Sequence, residues 1–126
     1  MQKRLRIQAG EITSIALLND TPTATAIWQA LPIEARASTW GDEIYFSIPV
    51  HQSAESNAGD VVALGDVAYW PPGNAFCIFF GPTPASRGNE IRAASAVNVV
   101  GRLEGDPTTF RTVRSGARII LEAIET

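Results

Sequence analysis

Glycine is followed at once by aspartate at Gly41-Asp42, Gly59-Asp60, Gly65-Asp66 and Gly105-Asp106, and short runs rich in β-branched and aromatic residues lie between. Each pair marks a turn, because glycine reaches positive φ and aspartate hydrogen-bonds its own backbone. Closely spaced strands with this punctuation predict a sandwich or a barrel. At 126 residues the chain is expected to be one domain, residues 1–126. A chain this size buries roughly two-thirds of its unfolded surface and needs no metal or disulfide staple.

The strands can be read from alternation. Arg4–Ala9 places Leu5 and Ile7 against Arg4, Arg6 and Gln8, and Ile12–Leu18 follows as a second strand. Asp20 or Thr21 then caps a helix with Pro22 in its first turn, where a missing N–H costs nothing. Ala24, Ile27, Trp28 and Leu31 form one apolar stripe, which makes Trp28 a core residue, and Pro32 ends the helix. Val61–Leu64, Val67–Trp70, Ala75–Phe80, Val97–Leu103 and Arg118–Ile124 read as further strands. Asp106 caps a second short helix that opens at Pro107. Counting the hairpin described next, and setting aside the short run Val61–Leu64, the reading gives about eight strands and two short helices.

The clearest hairpin spans Ile33 to Val50. Gly41-Asp42 suits a two-residue type II′ turn, and that register pairs Trp40 with Glu43 and continues outward to Ile33. One face carries Ala35, Ala37 and Thr39 opposite Ile48, Phe46 and Ile44, small residues against large ones, as a curved interior requires. The other carries Glu34, Arg36, Ser38 and Trp40 against Pro49, Ser47, Tyr45 and Glu43, and points outward. Downstream, Pro72-Gly73 suits the centre of a type II turn, and Trp70-Pro71 is a candidate cis bond.

Several chemistries are disfavoured by residue type. The single cysteine, Cys77, lies in an apolar run without a basic neighbour to activate it. One histidine, His51, falls in a polar loop, so neither a metal site nor a catalytic triad is expected, and no cofactor is implied. The formal charge is −3, and the local excess of arginine from Arg87 to Arg118 is scattered, which argues against nucleic-acid binding. No apolar stretch approaches the ~20 residues of a membrane span. Lys3-Arg4-Arg6 is not followed by an apolar leader segment, and a cytoplasmic location is expected.

The segment Gly65 to Ser86, GDVAYWPPGNAFCIFFGPTPAS, carries a resemblance, together with Trp40–Phe46 upstream and Ala96–Gly101 downstream. From about Ile7 to Arg114 the chain resembles the prokaryotic cyclophilin-like family of small, uncharacterised proteins. The resemblance implies a mainly β fold, a closed antiparallel eight-stranded barrel with one or two short helices. It does not carry isomerase activity with it. The Phe-His-Arg segment of true cyclophilins is absent from Ile33–Val50, and Arg6 and Arg36 are out of context. Cys77 or Ile78 stands where glutamine would be, and Asn98 where histidine would be. Loss of one well-aimed donor costs roughly 3–4 kcal/mol of barrier, so weak or absent isomerase activity is expected.

The cyclophilin ligand groove lies on the outside of the barrel wall. Only one of the sets Phe76, Ile78, Phe80 and Ala75, Cys77, Phe79 can face inward. With the first set outside, the candidate ligand-binding residues are Arg36, Trp40, Tyr45, Trp70, Asn74, Phe76, Ile78, Phe80 and Arg87. The alternative is that the outward set is covered by the Gly81–Asn89 loop as a second small core. The functional expectation is a non-catalytic binding module for a small molecule or peptide. The alternatives are a weak peptidyl-prolyl isomerase and a self-associating subunit, such as a homodimer.

Overall fold

The computed structural model of the chain describes residues 3–124. Ten strands are formed: β1 (Lys3–Ala9), β2 (Ile12–Leu18), β3 (Ile33–Arg36), β4 (Ser38–Thr39), β5 (Glu43–Ser47), β6 (Gly59–Val62), β7 (Asp66–Trp70), β8 (Ala75–Phe79), β9 (Ile91–Leu103) and β10 (Arg118–Ile124). Helix α1 is Pro22–Ala30, and two short 3-10 segments span Pro71–Gly73 and Pro107–Thr112. The strands run in the antiparallel order β3-β10-β1-β2-β9-β7-β8-β5-β4, with β6 paired separately to β9.

The two ends of that path are consecutive in the chain. β3 pairs with β10 and β4 pairs with β5, and only Ala37 separates them. The wall is therefore completed by the chain stepping from one neighbour to the other, not by a continuous ladder. Taken as one interrupted strand, β3 and β4 bring the path to the eight strands of the expected barrel.

Local expectations hold at many points. Thr21 caps α1, its hydroxyl accepting from the Ala24 amide at 3.2 Å. Asp106 caps the second 3-10 segment, accepting from the Thr108 amide at 3.0 Å. The hairpin tip keeps its register, with Trp40 and Glu43 exchanging backbone bonds of 2.9 and 3.2 Å around Gly41 at φ 59°. Beyond Ser38 the expected pairing fails, because β3 leaves the hairpin to join β10. At the Pro71-Pro72-Gly73 bend the type II turn is replaced by the 3-10 segment, and Asn74, not Gly73, takes the left-handed conformation at φ 48°. Asparagine tolerates that region. The cis bond is Leu31-Pro32, not Trp70-Pro71.

The interior is filled by Leu5, Ile7, Ile27, Ile44, Phe46, Val67, Tyr69, Phe76, Ile78, Phe110, Ile119 and Leu121, among others. Phe46 and Phe76 stack with ring centroids 5.5 Å apart. Trp28 packs against this core from the helix, only partly buried. One end of the barrel is tied by buried polar bonds. Asn98 Nδ2 donates to Thr23 Oγ1 and to the Ser53 carbonyl, both at 3.0 Å, while Asn98 Oδ1 accepts from the Glu55 amide at 2.8 Å. The Tyr69 hydroxyl donates to the Val50 carbonyl at 2.6 Å. These bonds pin the irregular stretch 50–55 against the sheet, since a buried unpaired group would cost about 1–3 kcal/mol.

Candidate functional site

A second, smaller apolar cluster lies outside the wall: Val62, Ala68, Ala75, Cys77, Phe79, Ala93 and Val97, with Tyr45, Trp70 and Ile91 partly buried around it. Strand alternation decides its membership. On β8 the residues Ala75, Cys77 and Phe79 face outward, and their ladder partners Tyr45 and Ala68 share that face. Phe76, Ile78 and Phe80 consequently point into the barrel and belong to its core, which corrects their place among the candidate ligand residues. The reason is pairing: Phe76 stands opposite Phe46 and Tyr69, and Ile78 opposite Ile44 and Val67, all inner-face residues.

What covers the outer cluster is β9. Its second half, from Asn98 on, pairs with β7 and β2 in the wall, and its first half pairs with β6. That first half carries Ala93 and Val97 onto the outer cluster. The expected cover was the loop 81–89. That loop instead seats on the hairpin tip, where the Asp42 amide donates to the Pro82 carbonyl at 2.9 Å. A Cβ on Gly41 would stand 2.8 Å from Pro84 Cδ, so glycine is needed there for the close approach as well as for its φ.

The cover is incomplete. Between wall and β9 lies a cleft of about 260 Å³ lined by Trp40, Glu43, Tyr45, Trp70, Ala93, Ala94 and Val97. Three expected residues meet there: Trp40, Tyr45 and Trp70. Trp70 spans the gap, its Nε1 donating to Ser95 Oγ at 2.7 Å. Its ring rests on Gly73, where a Cβ would come within 2.8 Å of it. Sequence reasoning placed Glu43 on this face but not in the site, and it missed Ala93, Ala94 and Val97. Glu43 was within reach, since it alternates with Tyr45; the small residues Ala93 and Ala94 carry no such signal.

The other expected residues lie elsewhere. Arg36 is on β3, opposite Arg118 of β10, and donates to the Gly116 carbonyl at 3.2 Å. Asn74 serves the bend, its side-chain amide lying 3.0 Å from the Tyr69 hydroxyl. Arg87 is exposed on the loop 81–90 and does not line the cleft. Asn98, at the position where the cyclophilin histidine was compared, is buried in the polar tie described above. His51 is exposed.

Glu43 gives the cleft its electrostatics. The residue is 5% exposed, and burial pushes its carboxyl up to about 7, opposed by the neighbouring Cys77 thiol. Burial, followed by the charge of Glu43, pushes the Cys77 thiol well above its usual value. Cys77 itself is 1% exposed, packed within the outer apolar cluster. Among the described residues, no group of three or more His, Cys, Asp or Glu is placed to hold a metal ion. No helix among them is long and apolar enough to cross a membrane.

An antiparallel barrel of eight wall strands with a short helix packed against it defines a class, the cyclophilin-type barrels. The chain belongs to the Cyclophilin-like family, whose model matches residues 3–122. It is similar to the solution structure of the hypothetical protein AF2241 from Archaeoglobus fulgidus, with 45% sequence identity, a TM-score of 0.82, and coverage of 96% of this chain and 94% of that one. A search of curated proteins finds no match.

Proposed function

We propose that the protein is a binding module that takes a small molecule, or a single side chain of a peptide, in the cleft between the barrel wall and β9. The observation that carries this reading is the cleft itself, where three aromatic residues and one buried carboxyl converge on about 260 Å³. Small-molecule sites are concave, mostly apolar and few in polar groups, with volumes of roughly 300–1,000 Å³ for drug-sized ligands. This cleft sits just below that range and suits a ligand of about one ring and a short substituent.

The isomerase alternative has less support. No arginine lines the cleft, so nothing there donates a charged hydrogen bond to a twisting prolyl amide. In a chymotrypsin-coupled assay on an X-Pro peptide, the protein is expected to leave the spontaneous rate unchanged. The binding reading is tested by thermal-shift screening of metabolites and Pro-containing peptides, followed by titration of hits against Tyr45→Ala. Affinity is expected to drop about tenfold or more while the variant's far-UV spectrum stays unchanged. Hits that bind wild type and Tyr45→Ala equally would remove the cleft from consideration.

A further inference from the structure

Building on the binding reading, we infer that the cleft selects a small organic cation, an ammonium or similar group joined to an apolar body, with Glu43 as its counter-ion. Two features of the lining point there. The first is charge without a partner. Glu43 is buried, and among the described residues no lysine, arginine or histidine forms an ion pair with it. The arginines adjoining the cleft in sequence or through Asp42 have other partners: Arg92, next to Ala93, pairs with Asp60 and Glu90, and Arg111 lies 4.0 Å from Asp42. Cys77, the titratable neighbour that most affects Glu43, brings no positive charge. A buried carboxylate is costly unless it is paired, and a cationic ligand supplies the pair that the fold does not.

The second feature is the company Glu43 keeps. Trp40, Tyr45 and Trp70 share the cleft with it, and aromatic rings attract a desolvated cation. An anionic ligand would meet the Glu43 charge with no compensating donor. A neutral apolar ligand would fill the space but leave the carboxyl unpaired. The same walls therefore rank ligands of one shape by the charge of their polar end.

Three water-soluble probes with the same phenylethyl or phenylmethyl body separate the possibilities: 2-phenylethylammonium, 2-phenylethanol and phenylacetate. Each is titrated at pH 8 into the full chain, following the fluorescence of the cleft tryptophans. The ammonium is expected to bind about tenfold or more tighter than the alcohol, and phenylacetate weakest. In Glu43→Gln, which keeps size and removes charge, the ammonium and the alcohol are expected to bind within about twofold. Equal wild-type affinities for ammonium and alcohol, or a preference that survives in Glu43→Gln, would overturn the cation inference and leave the binding reading standing. Failure of the ammonium to bind would overturn the cation inference, while the binding reading is decided separately by the thermal-shift screen and the Tyr45→Ala titration. Should Glu43→Gln not fold, the ranking of the three probes on wild type decides alone.

Discussion

At Glu43, stability and the proposed recognition of a cation pull in opposite directions. Its carboxyl in the folded chain holds a proton up to about pH 7, against an ordinary value of 4.5. The folded state therefore binds that proton more tightly than the unfolded one. The stability this adds is fully present below about pH 4.5 and is lost as pH rises through about 7. Glu43→Gln is expected to unfold near wild type at pH 5 and to be more stable than wild type at pH 8, by at most about 3 kcal/mol. Denaturant unfolding at the two pH values reads this directly. Equal differences at both pH values would mean that the carboxyl is not desolvated. Asp106 and Glu34 behave in the opposite way: hydrogen bonds from Thr108 and Arg118, respectively, lower their values, at exposed sites where such pairs add little.

At the level of elements, β9 does two jobs with one strand. Its thirteen residues exceed the strands it pairs with, so its first half overshoots the wall and becomes the roof of the cleft. Gly101 makes the wall half possible, since a Cβ there would lie 2.1 Å from the Leu17 carbonyl oxygen. Asn98 stands where the two halves meet and bonds three groups across the barrel end. Asn98→Leu keeps the bulk but leaves the Ser53 carbonyl and the Glu55 amide unpartnered. The expected loss is about 2–4 kcal/mol, with faster amide exchange at residues 53–55. Unchanged exchange there would show that the polar tie does not hold that segment.

For the whole molecule, the sheet separates two apolar clusters that meet different demands. The inner one is sealed and sets stability; the outer one is partly open and shapes the cleft. Truncation should tell them apart. Phe76→Ala, in the sealed interior, is expected to cost about 3–5 kcal/mol in denaturant unfolding. Tyr45→Ala, at the cleft, is expected to cost well under half of that, because its ring is already partly in water. Similar losses for both would place Tyr45 in the core and close the proposed site.

Alternation, caps and turn residues determined the local elements: β1 and β2, α1 with a cap at Asp20 or Thr21, the hairpin tip at Gly41-Asp42, and β10. The family was legible in Gly65–Ser86. Three matters were settled only by tertiary structure. The face of Ala75–Phe80 could not be read, because a strand buried on both sides is apolar at every position and alternation falls silent. The departure of β3 to β10 joins residues about eighty apart, a distance that no local pattern encodes. The cleft depends on a roof strand whose stretch Ala93-Ala94-Ser95-Ala96 has small side chains that signal no strand yet leave, by their size, the space beside Glu43. Local sequence chooses the pieces by their backbone preferences; which surfaces remain open is decided by what each piece finally packs against.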